Sequence, residues 1–189
     1  MDVVIRPYRP DDLPALRELT VSAFDGVTLE QNVEDALGVL NGHDWRWRKA
    51  RHVDEDVAAD PAGVFVAEAA GRVVGYVSTR TDREAGKGRI PNLAVAADAR
   101  NLGLGRRLIE HALDHFRAAG LSYAVIETMA QNPVGNHLYP AWGPVESLWI
   151  GGVVRSVGTG RRGLRQHRTR RPFGTTSSSS PGCSGQRRG

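Results

Sequence analysis

The chain has almost no cysteine and no long apolar run, and each absence excludes a class of protein. The single cysteine, Cys183, has no second cysteine in the chain, so a disulfide-stabilised secreted fold is excluded. No segment approaches the roughly eighteen apolar residues of a membrane span, and the charged N-terminus lacks the apolar core of a signal peptide. At 189 residues the chain is long enough for one domain and a tail. These features predict a soluble cytoplasmic protein without a membrane partner.

Lysine and acidic residues are both absent from residues 147–189, which hold nine arginines. The other 16 basic residues accompany all 21 acidic ones, so residues 1–146 have a formal charge of −5 and the tail has +9. The net charge of +4 therefore describes neither part of the chain. A nucleic-acid partner is predicted only through the basic tail, whose arginines would contact phosphates.

The order of apolar patterns predicts strands and helices mixed along residues 1–143. Alternating residues predict an antiparallel pair over 63–80, turning at Ala70-Gly71. A stripe spaced four residues apart, with Gly120 as C-cap, predicts a helix after Gly105. The other predicted features are a strand at 3–8, a helix capped by Asp11, one or two helices within 29–59, a polar loop at 81–89, strands at 90–96 and 121–129, and a short helix at 132–143. This order indicates an α/β (α+β) domain with one central sheet.

A glycine motif stands between the predicted strand at 90–96 and the following helix. Arg100, Gly103 and Gly105 follow the pattern Arg/Gln-x-x-Gly-x-Gly/Ala. The string is neither a P-loop nor a dinucleotide fingerprint, because no Gly-Lys-Ser/Thr occurs and Leu108 stands where a third glycine is required. Glycine costs about 1 kcal/mol relative to alanine inside a helix, so an anion on the N–H groups of the first turn is the natural compensation. The motif predicts a phosphate site.

At these residues the chain resembles the GCN5-related N-acetyltransferase (GNAT) family. "IPNLAVAADARNLGLGRRLIEHAL" resembles the core motif of that family, and "ETMAQNPVGNHLYPAWG" resembles the segment that follows it. The resemblance covers residues 1–143 and implies a GNAT-like single central mixed sheet flanked by helices. It also implies acetyl-CoA as co-substrate and transfer of an acetyl group to a primary amine of a small molecule or peptide.

The resemblance also implies the cofactor-binding residues. Backbone groups at 93–95 would hydrogen-bond the pantetheine arm, the loop at 100–106 would wrap the pyrophosphate, and Asn132, at the end of the strand, would contact the pantetheine or the start of the next helix. The cofactor-binding residues are thus Leu93, Ala94, Val95, Arg100, Asn101, Leu102, Gly103, Leu104, Gly105, Arg106 and Asn132. No metal is predicted. The two helix-face histidines His111 and His115 are spaced as metal ligands can be, but they lack a third ligand and are interpreted as a solvated face.

Three groups are predicted to carry the chemistry. Tyr139 would be the general acid that protonates the departing CoA thiolate, as the resemblance implies, and the backbone N–H of Val95 would support the oxyanion. Glu127 is the candidate base, because it is a carboxylate on the strand before Asn132. Each side chain also has a plain structural interpretation, Tyr139 as a half-buried aromatic residue and Glu127 as half of a salt bridge.

The predicted domain covers residues 1–146, and residues 147–189 form an Arg/Gly/Ser-rich tail. Residues 145–157 have the pattern of a hairpin around Gly151-Gly152, and the remainder has the composition of a disordered segment. The family continues after this point with Gly-Phe and two strands, whereas Gly143 is followed here by Pro144. This departure leaves open a frameshifted C-terminus, a catalytically impaired acyl-CoA-binding protein, and a nucleic-acid-associated protein. A homodimer is equally open.

Overall fold

The antiparallel pair predicted over residues 63–80 is present in a computed structural model of the protein. Its strands are β2 (Val64–Ala69) and β3 (Arg72–Ser78). The turn has φ values of 48° at Ala70 and 75° at Gly71, which is the tight turn that the sequence predicts. The structure describes residues 2–129, 132, 135, 145–147 and 150–156, and describes side chains for residues 2–128, 132 and 135.

Four helices and seven further strands complete the described part of the chain. The helices are α1 (Leu13–Ala23), α2 (Leu29–Leu37), α3 (Trp45–Ala59) and α4 (Leu104–Ala118). The strands are β1 (Val4–Pro7), β4 (Arg80–Asp82), β5 (Lys87–Ile90), β6 (Leu93–Val95), β7 (Tyr123–Met129), β8 (Val145–Ser147) and β9 (Ile150–Ser156). No described helix is both long and apolar enough to cross a membrane.

The strands form two sheets where the sequence predicts one, although the mixed α/β class is confirmed. The first sheet is antiparallel with the order β1-β2-β3-β6, and the second has the order β4-β5-β7-β9-β8 with β5 and β7 parallel. The chain passes from one sheet to the other at Pro91 and Asn92. Proline has no N–H for a ladder, and the C=O of Asn92 accepts from Ser78 N at 2.9 Å. This crossing separates β6 from β5.

The first sheet is covered on both faces by helices. Val64 and Val66 of β2 pack with Leu16 of α1 and Val53 of α3, whereas Phe65 and Ala67 pack on the other face. There α4 buries Leu104, Leu108, Ile109, Ala112, Leu113 and Phe116, the full stripe that the sequence predicts. Gly120 has a φ of 75° and ends α4 as expected.

Two local predictions are wrong. Asp12, not Asp11, is the N-cap residue of α1, and its side chain makes no cap hydrogen bond. Its carboxylate instead accepts from the Arg6 guanidinium of β1 at 2.8 Å and from the backbone N–H of Arg9. The segment 81–89 is not a plain polar loop, since it contains most of β4 and most of β5. β5 pairs with β7, and this pairing is made by distant residues rather than by local strand propensity.

The C-terminal hairpin differs from its prediction in where it turns. β8 and β9 pair antiparallel and are separated by two residues. Gly151 and Gly152 lie inside β9, opposite Thr128 and Glu127 of β7, and not at the turn. The predicted boundary between residues 146 and 147 falls within this hairpin. The predicted disorder of the tail after residue 157, with Cys183, lies outside the described residues.

Replacing Gly88 with alanine should destabilise the fold. A Cβ at residue 88 would lie 2.6 Å from Cγ of the fully buried Phe116 ring, so one of them must move. We expect Gly88→Ala to lower the free energy of unfolding by about 1–3 kcal/mol in urea denaturation. Phe116→Leu provides the control in a double-mutant cycle, because it should cost less in the Gly88→Ala background than alone. Purely additive effects would contradict the proposed clash.

Candidate active site

Strand β6 has one edge that no strand covers in the described part of the chain. On its other edge, Ala96 N donates to Val74 O and Ser78 N donates to Asn92 O, each at 2.9 Å. The pair Tyr76–Ala94 lies between these bonds, so the N–H and C=O of Ala94 point to β3. Leu93 and Val95 therefore direct their N–H and C=O groups to the uncovered edge. The backbone groups of Ala94 do not face this edge, although the sequence interpretation includes them among the contacts to the pantetheine arm.

The predicted phosphate loop joins this edge to α4. A short 3-10 turn over Ala97–Ala99 follows β6, and both Asn101 and Gly103 have positive φ, 62° and 73°. Gly103 precedes α4 as its N-cap without a side-chain cap, so the first N–H groups of the helix point into the loop. A Cβ on Gly103 would meet nothing within 4 Å. The loop thus provides open space, backbone donors and the positive end of a 15-residue helix.

The side chains of the loop are divided between solvent and core. Arg100, Leu102 and Arg106 are exposed, whereas Leu104 is buried under the first sheet. Arg100 Nε donates to Val95 O at 3.3 Å, so this arginine already contacts the uncovered edge of β6. Leu104 can offer a ligand only its backbone.

A cavity of about 260 Å³ lies beside Leu93 at the far end of β6 from the phosphate loop. Its wall combines apolar residues from the α1–α2 region with polar residues of α2, α3 and β7. The lining includes Phe24, Glu30, Lys49, His52, Glu127 and Asn132.

The predicted catalytic residues Glu127 and Tyr139 and the predicted cofactor-binding residue Asn132 have different outcomes. Glu127 Oε2 accepts from Arg89 Nη2 at 2.5 Å, and the Glu127 side chain is 47% exposed at the cavity rim. Asn132 donates to Thr128 Oγ1 at 2.9 Å and accepts from Gly135 N at 3.1 Å, which places it at the start of the next segment. Tyr139 lies outside the described residues, so its role stays a prediction.

The sequence interpretation missed a lysine in the cavity. Lys49 is only 6% exposed, and its Nζ donates to Asn92 Oδ1 at 3.0 Å and lies 3.4 Å from His52 Nδ1. The Nζ also lies 3.9 Å from the centre of the Phe24 ring. Burial lowers the pKa of Lys49 to about 8, although the nearby negative charges of Glu30 and Asp56 act to raise it. A signal was present, because Lys49 shares the buried face of α3 with Trp45 and Val53 at four-residue spacing.

Asp56 positions the amide that holds Lys49. Its Oδ2 accepts from Ser78 Oγ at 2.6 Å and from Asn92 Nδ2 at 2.8 Å, and its Oδ1 accepts from Arg80 Nη2 at 3.0 Å. Asn92 then has its amide oxygen free for Lys49. The buried carboxylate therefore orients the amide that orients the lysine.

The histidines on α4 are not at this site. His111 and His115 lie against the Phe65 ring, with ring centres 4.4 and 5.2 Å apart. Burial lowers the pKa of His111. The described residues contain no group of His, Cys, Asp or Glu side chains that could hold a metal.

Comparison with known proteins identifies the family. The Acetyltransferase (GNAT) family matches residues 22–143, and the chain belongs to this family. Acetyl-CoA is the co-substrate of GNAT enzymes. The resemblance carried by the glycine loop is thereby confirmed.

Curated relatives match over short segments. The mycothiol acetyltransferase of Streptomyces avermitilis is 34% identical over 84 residues, which cover 44% of this chain and 27% of the relative. The IAA acetyltransferase of Azospirillum brasilense is 43% identical over 64 residues, which cover 34% and 42%. The chain thus spans less than half the length of either relative.

Solved structures show the same fold at low sequence identity. The PaiA N-acetyltransferase from Thermoplasma acidophilum, in complex with coenzyme A, aligns with a TM-score of 0.65 and 17% identity, over 82% of this chain and 99% of that one. N-acetylglutamate synthase from Neisseria gonorrhoeae, complexed with coenzyme A and N-acetyl-glutamate, aligns with a TM-score of 0.58 and 21% identity, over 84% and 36%.

Removing the Asp56 carboxylate should destabilise the protein strongly. Asp56→Ala leaves the donors on Ser78, Asn92 and Arg80 without their acceptor, so we expect a loss of about 3–5 kcal/mol in urea denaturation. The matched control is Asp54→Ala on the same helix, whose carboxylate forms an exposed pair with Arg17. Its effect should be far smaller. Equal losses in the two variants would show that the network around Asp56 has no special weight.

Proposed function

We propose that the protein is an N-acetyltransferase that moves the acetyl group of acetyl-CoA to a primary amine by direct attack on the thioester. The observation that carries this proposal is the continuity of three features. The uncovered edge of β6 leads at one end into the phosphate loop and at the other end to a cavity that contains proton-transfer groups. A long ligand with an anionic end and a reactive end fits this arrangement.

The pantetheine arm would lie along β6 like an added strand. Its amides would exchange hydrogen bonds with Leu93 and Val95, since the polar groups of Ala94 are taken by β3. The pyrophosphate would accept from N–H groups between Gly103 and Gly105, next to the backbone of Asn101 and Leu102. Arg100 and Arg106 are exposed beside the loop and would add charge there.

The direction of the ligand follows from the two ends of β6. Val95 is the end nearer the phosphate loop, and Leu93 lines the cavity. Two residues of strand span roughly 7 Å, so the reacting carbonyl lies closer to Leu93. The N–H of Leu93 is therefore the better placed oxyanion donor, in preference to the N–H of Val95 that the sequence interpretation names.

The acceptor is a primary amine of a small molecule or peptide. An alkylammonium has a pKa of about 10, so the enzyme must remove a proton before the nitrogen can attack. Glu127 is less suited to this task than the sequence suggests, because Arg89 occupies its Oε2. Tyr139 keeps its proposed role as the acid that protonates the CoA thiolate.

A carboxylate in the phosphate loop should weaken cofactor binding. Gly103→Glu places a negative charge where the pyrophosphate would lie, so we expect acetyl-CoA to bind at least about tenfold more weakly in calorimetric titration. Gly71→Glu is the matched control, because Gly71 has a φ of 75° and equally open surroundings in the β2–β3 turn. The control should bind as the wild type does.

Transfer itself is tested by CoA release with three acceptors, phenethylamine, glucosamine and the dipeptide Ala-Gly. Release that depends on one of these amines would support the proposed reaction. Tight binding of acetyl-CoA with no transfer to any primary amine would favour the acyl-CoA-binding alternative. A wild-type protein that does not bind acetyl-CoA would overturn the proposed function.

A further inference from the structure

We propose that Lys49 is the base that takes the proton from the acceptor amine, and that His52, held by Glu30, passes this proton to solvent. The inference rests on the proposed function, because it assigns a residue to the acceptor side of the same site. It replaces Glu127 with a group that lies deeper in the cavity.

The position of Lys49 relative to β6 is the first argument. Its Nζ donates to Asn92 Oδ1 at 3.0 Å, and Asn92 directly precedes Leu93. Lys49, Leu93 and the apolar residues of the α1–α2 region line one cavity of about 260 Å³. An amine that attacks a carbonyl held on Leu93 must approach through this cavity, so it arrives beside the lysine nitrogen.

The surroundings of Lys49 are the second argument. No carboxylate forms an ion pair with Lys49 among the residues that the structure describes. The charged and titratable groups facing it are Glu30 of α2, His52 and Asp56 of α3, Arg89 of β5 and Glu127 of β7. A buried ammonium with a neutral amide as its main acceptor loses its proton readily, which agrees with a pKa lowered by burial to about 8.

The contacts of His52 are the third argument. Its Nε2 lies 2.8 Å from Glu30 Oε1, so Nε2 carries the proton in that bond and Nδ1 presents a lone pair to Lys49. The His52 side chain is 39% exposed, and it also lines a second cavity of about 550 Å³ with Glu55, Arg80 and Asp82. The pair Lys49 and His52 therefore leads from the buried cavity to solvent, and Glu30 holds the His52 ring in place.

The step conserves protons and electrons. The lone pair of neutral Lys49 Nζ accepts a proton from the acceptor ammonium, which leaves a free amine and a Lys49 ammonium. The amine lone pair then attacks the thioester carbonyl carbon, and collapse of the adduct breaks the C–S bond. The second proton lost by the nitrogen balances the one gained by the CoA thiolate. Lys49 returns its proton to His52 Nδ1, and the imidazolium beside Glu30 releases it to water.

The test compares Lys49→Met and Lys49→Arg with the wild type, using the most active of phenethylamine, glucosamine and Ala-Gly. Arginine keeps the positive charge but cannot act as a base. We expect both variants to lose about 100-fold or more in kcat/KM at pH 8 while acetyl-CoA binds unchanged. Lys87→Met removes the only other lysine of the chain and should retain activity. A Lys49→Arg variant with wild-type activity would overturn the proposal.

The pH dependence separates a base from a structural lysine. The deficit of Lys49→Arg should shrink as the pH approaches about 10 with phenethylamine, because the acceptor then loses its own proton. A deficit that stays constant with pH would contradict the assignment. Titration of [13Cε]lysine signals by NMR should place the Lys49 midpoint near 8, and Glu30→Gln should lower it by removing a negative charge. A wild-type midpoint at the ordinary lysine value would also contradict it.

The failure of this inference is distinct from failure of the proposed function. If the wild type binds acetyl-CoA and acetylates an amine while Lys49→Arg is fully active, only the assignment of Lys49 falls. If the wild type does not bind acetyl-CoA, both proposals fall. The calorimetric titration is therefore performed on every variant.

Discussion

The hydrogen bonds of Asp56 are the interaction on which the site depends. This carboxylate on α3 binds Ser78 at the end of β3, Asn92 at the crossing into β6, and Arg80 at the start of β4. It therefore fixes the point at which the two sheets separate. The separation leaves one edge of β6 uncovered, and the same amide that Asp56 holds also holds Lys49. The buried Asp56 carboxylate thus contributes both to the uncovered edge of β6 and to the position of Lys49.

The division of labour between backbone and side chains explains why the two ends of the site differ. In the proposed site, the phosphate end would use main-chain N–H groups and the helix dipole, which require only glycine and the start of α4. The acceptor end would use side chains of α2 and α3 that come from distant parts of the chain. Changes in those helices would then alter the acceptor without disturbing the loop, whereas changes in the loop would affect any acyl-CoA ligand.

The sequence predicts the elements whose signals are local. The α4 stripe, its glycine C-cap and the Ala70-Gly71 turn each depend on neighbouring residues, and all three are confirmed. β5 was missed because its pairing with β7 and the packing of Gly88 on Phe116 are tertiary. The Lys49–Asn92 and Asn92–Asp56 bonds join residues 43 and 36 positions apart. Hydrophobic periodicity carries no information about such long-range contacts, so the hydrogen bonds among Lys49, Asn92 and Asp56 could not be predicted.

The bond from Arg100 Nε to Val95 O gives the uncovered edge an internal competitor. This carbonyl is one that an added strand would use, and the loop arginine already satisfies it. In the proposed binding mode, a ligand amide that takes this carbonyl would displace the guanidinium, which would then be free to contact the anionic end of the same ligand. Binding along β6 would therefore be an exchange of partners, and its strength would reflect the difference between two hydrogen bonds rather than the gain of one. Binding at the strand and binding of the phosphates would be coupled through one side chain.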